Sequence, residues 1–442
     1  MKSCYNNPVI NMKEKLTKDF IINLSKKKNE PEWMLEFRLK SFKKFEELDN
    51  PNFGPELNID YDNFLYYKNV SNGSKKDWNE VSDNIKNTFC DLGVVEAEEK
   101  YLDGVTNQLE SEVVYHHNKT DKDIIFMSTD DALKKYPDIF KEYFNSLVKY
   151  DENKFTALNG AVWSGGSFIY IPPYTKLDRP LQSYFRIETE GLGQFERTII
   201  IVDEHAELSY IEGCTARSYA SNSLHAGVVE IFVKEGASCK YNTIQNWSNE
   251  VYNLVTKRAI VEKNGMMQWV DGNIGSGITM KYPSCILKGD NSVGNSISIA
   301  YAKKGQILDA GAKMIHLGKN TKSNIVSKSI ASNGGISNYR GTTKICKNAI
   351  NSTATVKCDT ILLDEISKSD TIPQNILENN SSTLEHEATI SKISAEKLFY
   401  LESKGLNEDE AKEMLVMGFV DDFKKELPME YAVELNRLLK EI

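Results

Sequence analysis

The chain has 442 residues, a formal net charge of −9 and 40% hydrophobic residues, enough for two or three domains, or for one long solenoid with caps, around a sizeable core. Mild acidity, with lysines scattered among acids, argues against a nucleic-acid binder, which needs a basic face to neutralise phosphate. No run approaches the ~18 apolar residues of a membrane span. The start, "MKSCYNNPVINMKEKLTKDF", has neither an apolar core nor a small-residue cleavage site, so the expectation is a soluble cytoplasmic protein, with a plastid-type organelle as the alternative.

Residues 1–154 read as a mixed, largely helical domain. "EPEWMLEFRLKSFKKFEEL" places Trp33, Phe37, Leu39 and Phe42 among charges at near-helical spacing. "STDDALKKYPDIFKEYF" offers Ser128 or Thr129 as an N-cap, with acids in the first turn.

From 155 to 392 the texture becomes strand-like. Short Ile-, Val-, Thr- and Tyr-rich pieces are cut by Gly and Asn. "WSGGSF" has no P-loop lysine and reads as a tight turn rather than a phosphate cradle. The pieces align faintly on Val202, Val233, Val261, Leu287, Ile315 and Ile345, at intervals of 31, 28, 26, 28 and 30 residues. Such a period predicts stacked coils, each burying its apolar face against its neighbours. No leucine-rich register and no propeller punctuation recurs, which leaves a parallel β-helix or a β-sandwich with accidental similarity.

Residues 393–442 read as a helical domain. "SAEKLFYLESKG" opens on Ser394 and stops at Gly405, and "NEDEAKEMLVMGF" opens on Asn407 with acids in its first turn. "PMEYAVELNRLLKEI" opens on Pro428 and carries Tyr431, Leu435, Leu438 and Leu439 near one stripe, which either closes the solenoid end or docks a partner.

Seven cysteines occur without C-x-x-C spacing, which argues against a structural zinc site and a disulfide framework. In "STATVKCDTILLDEIS", strand alternation puts Ala354, Val356, Cys358, Thr360 and Leu362 on one inward face. Cys358 is then a packed core thiol or a sheltered thiolate. Cys214, in "SYIEGCTARS", follows Gly213 at a strand end near Arg217, which reads as a turn thiol, either accessible and suited to sulfur exchange or simply solvated or packed. "TLEHEATISKI" sets His386 between Glu385 and Glu387. It lacks the second histidine of a zinc-protease motif, and alternation turns either the two glutamates or the histidine inward, not all three. Thiolate, imidazole and carboxylate together suit iron or zinc, and the alternative is a solvated turn leading into a helix. The remaining histidines show no ligand spacing.

Several long stretches together, "EPEWMLEFRLKSF", "STDDALKKYP", "GAVWSGGSFIYIPP", "RPLQSYFRIETEGLGQFERT", "YIEGCTA" and "LEHEATISKISAEKLFYLESKG", resemble the SufB/SufD family of the SUF iron–sulfur cluster assembly system, and within it the SufB type. The resemblance runs from about residue 30 to the C-terminus. It implies a mainly β fold: a right-handed parallel β-helix flanked by an N-terminal α/β part and C-terminal helices. It implies a scaffold rather than an enzyme. Such a scaffold accepts persulfide sulfur and iron, builds a transient iron–sulfur cluster and passes it to apo-proteins. The implied partners are the ABC-type ATPase SufC, docked near the C-terminus; SufD or a second SufB copy; and a SufE- or SufU-type sulfur donor with its cysteine desulfurase. A reduced flavin is left open as a co-reactant. By the same resemblance Cys214 accepts sulfur; Arg186, Gln245, Trp247 and Lys257 line a sulfur route; and Cys358 with Glu387, Glu385 and His386 forms the metal end. Arg217 stands where the family often has proline, and Glu188 where asparagine is common. The N-terminal cysteine cluster of some members is missing, and Cys4 and Cys90 cannot replace it by spacing.

Overall fold

The computed structural model describes residues 15–71, 73–90, 98, 100–216 and 222–426, the side chain of residue 422 excepted. Cys4, Arg217 and the stripe from Pro428 to Leu439 lie outside them.

Two long sheets face each other and form a β-solenoid of about eight turns. In the first sheet, seven strands stack parallel and in register: Glu207–Ala216, Ser238–Trp247, Met266–Gly275, Val293–Ala302, Lys322–Ala331, Thr353–Leu362 and Thr383–Lys392. The second sheet carries the return strands Ser167–Ile171, Arg197–Val202, Val228–Val233, Val251–Val261, Ser284–Leu287, Lys313–His316, Ile336–Ile345 and Thr371–Leu377. Each inner apolar face is closed only by the next coil, so a single coil could not bury its core alone.

The sequence period follows this register through Val202, Val233, Val261 and Leu287. There it departs by one residue, because Leu287 pairs with His316 and not Ile315. His316 then pairs with Ile345, so both intervals are 29. The inward position is polar in this coil. His316 is fully buried and held by Thr321 Oγ1 and Ser323 Oγ, each at 2.8 Å.

A second period marks the corners. His205, Gly236, Asn264, Asn291, Asn320 and Asn351 all have φ between 55° and 65°, one per coil, just before each first-sheet strand. Glycine adopts this left-handed geometry freely, and asparagine more readily than most residues. In "WSGGSF", Gly166 has φ +90° and a Cβ there would lie 2.2 Å from the Arg197 carbonyl oxygen. The turn exists because the backbone approaches that closely.

The N-terminal part is not separate from the solenoid at residue 154. Its strand Gly104–Leu109 pairs parallel with Leu181–Ile187 and supplies an early rung of the first sheet. Helix Glu32–Glu47 packs over Lys154–Val162, and buried Arg38 is clasped by Glu30 and the carbonyls of Ala161 and Trp163. Ser128 caps Thr129–Lys135.

After the last strand, Ser394 caps helix Ala395–Glu402, and Asn407 caps Glu408–Phe419 with a reciprocal Glu410 contact. These helices do not close the solenoid end. Val416, Val420 and Phe423 pack on Ile244, Val270, Ile299 and Ile330, which lie on the outer face of the first sheet. Lys328 Nζ also donates to the Phe419 carbonyl at 2.7 Å. No described helix is long and apolar enough to cross a membrane.

Candidate functional site

Strand alternation with an in-register stack turns each inward position into a row that runs the length of the lumen. One such row is polar at every rung: Ser183, Glu212, Thr243, Asp271, Ser298, Ser327 and Cys358. All seven are buried. The neighbouring inward row runs Cys214, Gln245, Asn273, Ala300, Ser329 and Thr360. Cys214 and Cys358 therefore lie on adjacent rows, five rungs apart along the first sheet, or about 24 Å at ~4.8 Å per rung.

Cys214 is not at a turn. The strand continues past Gly213 to Ala216, and Cys214 pairs with Phe185 on one side and Gln245 on the other. Its thiol is 0% exposed, among Leu65, Phe185, Leu192, Trp247 and Val251. Burial pushes it well above the ordinary thiol range, Glu212 and Glu196 add to that, and Lys257 and Lys281 oppose it. Arg217, the expected activating cation, lies outside the described residues. Arg186 pairs with Thr215 and faces away from the lumen. Its guanidinium donates to Thr215 Oγ1 at 2.8 Å and to Glu188 at 2.7 Å, so the glutamate neutralises the arginine locally.

Gln245, Trp247 and Lys257 do face the lumen. Lys257 Nζ crosses from the second sheet to donate to Glu212 Oε1 at 2.8 Å and Thr243 Oγ1 at 3.1 Å, and Glu212 also accepts from Tyr241 Oη. Burial disfavours both charges, yet mutual attraction wins: Glu212 is held below its usual range and Lys257 above. Lys281 Nζ meets Asp271 and Gln245 Oε1, both at 2.9 Å, and burial lowers its pKa. From Gln245 the chain of bonds continues to Asn253 at 2.8 Å, then to His225 Nδ1 at 2.8 Å and from His225 Nε2 to Glu196 at 2.7 Å. Burial would lower the His225 pKa, but Glu196 and Asn253 raise it overall.

Glu196, Glu212, His225, Asn253, Asp271 and Lys281 were not singled out by sequence. Their signal is an ionisable or amide residue at the inward parity of a Val/Ile-rich strand, legible only once the register is known. Several buried polar atoms here have no hydrogen-bond partner, including Gln245 Nε2, Trp247 Nε1, Trp269 Nε1, Asn273 Oδ1 and Glu196 Oε2. Orphans of this kind are costly unless a guest satisfies them.

At the other end, Ala354, Val356, Cys358 and Thr360 alternate inward and buried, while Leu362 is half-buried and Leu363 takes the buried place. In the last rung His386 turns inward, and Glu385 and Glu387 are exposed on the outer side. The carboxylate expected beside Cys358 is thus an imidazole. Cys358 Sγ lies 3.8 Å from His386 Nε2. Two ligands of one tetrahedral metal stand about 3.6 Å apart at ordinary M–S and M–N lengths. Burial pushes the Cys358 thiol up to about 12, the Tyr339 hydroxyl works against that and Asp359 adds to it. Burial lowers the His386 pKa, which keeps its imidazole neutral and available as a ligand. Asn375 holds His386 Nδ1 at 3.1 Å and can serve either tautomer by turning its amide. Among the described residues no three His, Cys, Asp or Glu side chains converge, and Cys358 and His386 are two neighbouring candidate ligands.

The fold and site define a parallel β-solenoid with an apolar core and polar rows along the first sheet that run between two sheltered thiols, one of them beside a histidine. Comparison with known proteins makes this specific. Residues 185–419 match the model of the SUF system FeS cluster assembly SufBD core domain, and residues 11–183 that of the SufBD protein N-terminal region. The chain is 56% identical to the iron-sulfur cluster assembly protein SufB of Bacillus subtilis over 96% of its length and 92% of the relative's. It is 55% identical to an iron-sulfur cluster assembly SufBD family protein of Staphylococcus epidermidis over the same shares. The chain belongs to the SufBD family of the SUF iron–sulfur cluster assembly system.

Proposed function

We propose that this protein is the scaffold on which sulfur and iron are combined: sulfur enters at Cys214, travels the lumen and meets iron at Cys358 and His386. The observation that carries the reading is the pair of adjacent inward rows between the two thiols, one polar at each rung from Ser183 to Cys358 and the other polar except at Ala300. Attack of Cys214 on a donor persulfide transfers the outer sulfur and releases the donor thiolate. The Cys214 persulfide, two electrons and one proton give the Cys214 thiol and hydrosulfide; a reduced flavin is the reductant class that suits this step. Hydrosulfide then passes between the serine, threonine and amide groups of the two rows, sheltered from water and oxygen. At Cys358 the thiol loses its proton on binding iron, and His386 binds through Nε2. The remaining ligands come from a second subunit, SufD or another copy of this chain, seated on the open end of the solenoid.

The chain itself is not an enzyme in this reading. ATP is hydrolysed by a SufC-type ATPase on the C-terminal helices, where Phe399 and Tyr400 are 72% and 59% exposed. A cytoplasmic location agrees with the bacterial relatives. Cys358→Ser should abolish cluster formation in the purified complex while subunit association is kept, read by visible absorption and Mössbauer spectra after anaerobic reconstitution. A normal cluster yield from that variant would refute the assignment and favour a purely structural role.

A further inference from the structure

Away from the lumen, a cavity of about 530 Å³ lies between the loop around Phe53 and the outer face of the second sheet. Its two characters are separate. Phe53, Phe155, Met280 and Tyr282 supply an apolar wall, with the Phe53 and Tyr282 ring centroids 6.1 Å apart. Arg258 and Lys313 supply cations from one outward row, in which Ser284 stands between them.

The charges there are unevenly paired. Arg258 is held by Glu152 in a two-pronged pair at 2.7 and 2.8 Å. Arg340, beside the cavity, is held by Asp309 at 3.1 and 3.0 Å and lies over the Phe53 ring. Lys313 lies near both guanidiniums, and among the described residues its ammonium meets the Tyr282 ring face, 5.4 Å away. Burial lowers its pKa, Arg258 and Arg340 lower it further, and Glu152 opposes them. Asp49 also lines the cavity but is exposed. Of the three carboxylates beside these three cations, Glu152 and Asp309 are each committed to an arginine and Asp49 is exposed. A half-buried ammonium beside like charges costs stability unless an anion arrives to meet it.

We propose that this cavity binds a small organic anion, with its phosphate or carboxylate head on Lys313 and a flat apolar body against Phe53 and Tyr282. The site is independent of the sulfur route, although its floor is the strand whose inner face carries Lys257.

Phenyl phosphate is the probe, added to the full chain while thermal unfolding is followed. Wild type should gain about 2–4 °C at saturation, and inorganic phosphate at the same concentration should give a smaller gain. Lys313→Met should lose the phenyl phosphate gain and, without ligand, unfold no lower than wild type, because it removes a repelled charge and keeps the stem. Phe53→Ala should weaken phenyl phosphate about 3- to 10-fold and leave inorganic phosphate unchanged. An equal gain in wild type and Lys313→Met, no gain in wild type, or an unliganded Lys313→Met that unfolds several degrees lower would each overturn the proposal. An equal gain from inorganic phosphate would overturn the role of the aromatic wall.

Discussion

Cys358 and His386 meet because two adjacent rungs carry them two residues out of register, on the same face. Val356 pairs with His386 and Cys358 with Ala388, so the thiol and imidazole are diagonal neighbours on one inward face. A thiol pushed up to about 12 is protonated at neutral pH, and metal binding must expel that proton. Raising the pH populates thiolate, so Co²⁺ affinity at this site should rise about tenfold per pH unit between roughly 7 and 9. The thiolate–cobalt absorption reads it, and a flat profile would contradict the ligand role. The Lys257–Glu212 pair makes a different prediction. Lys257→Met strands a buried carboxylate and should cost about 3–5 kcal/mol at neutral pH, measured by urea unfolding. Glu212 has its folded pKa lowered by Lys257 and its hydrogen bonds, against the opposing effect of burial. Its contribution is therefore present above the unfolded carboxylate pKa and lost as pH falls through the folded value. The variant's deficit should shrink toward acid, and adding Glu212→Leu should restore most of the loss. A deficit that grows toward acid would show that the pair is not what Lys257 stabilises.

At the scale of elements, much was legible because the solenoid repeats its physics once per coil. Strand alternation alone turns Cys358 inward, and the apolar anchors give the coil period until His316 takes an inward place with a polar side chain. Left-handed corners from His205 to Asn351 carry the same period and, His205 apart, are readable as Asn or Gly before the strands, but not as a repeat without the register. Alternation could not choose between His386 and its flanking glutamates, because that needs the phase of the last rung against Thr353–Leu362. The accessible turn expected at Cys214 failed because Gly213 there continues a strand rather than ending one. The last strands, Thr371–Leu377 and Thr383–Lys392, lie at the end of the described stack and expose Ile372, Leu377 and Ile390. An exposed edge with apolar side chains invites a further chain. Ile390→Lys should weaken subunit association tenfold or more, read by light scattering across a dilution series; an unchanged mass at every dilution would place the partner elsewhere. On the proposed docking of a SufC-type ATPase, Phe399→Ser with Tyr400→Ser should release it while leaving the far-UV circular dichroism unchanged, and unchanged co-purification would place that docking elsewhere.

For the whole molecule, the arrangement separates three tasks along one axis. The N-terminal helices lie mainly on the outer face of the second sheet, the segment around Trp78 and Phe89 and the C-terminal helices lie on that of the first, polar rows run along the lumen between two thiols, and the last described rungs hold Cys358 and His386, where the proposed second subunit would complete the ligand set. The described C-terminal helices lie on the flank because Val416, Val420 and Phe423 find their apolar partners on the outer sheet face, while the stripe from Pro428 to Leu439, expected either to close the solenoid end or to dock a partner, lies outside the described residues. The central claim is directional transfer through the lumen, and a single-turnover pulse with ³⁵S-labelled persulfide donor tests it, with peptide mapping of Cys214 and Cys358 over time in wild type, Cys214→Ser and the lumen-blocking Ser298→Phe. Label should appear first at Cys214 and then at Cys358, stop at Cys214 in Ser298→Phe, and reach neither site in Cys214→Ser. Labelling of Cys358 at the wild-type rate in Cys214→Ser would contradict the route.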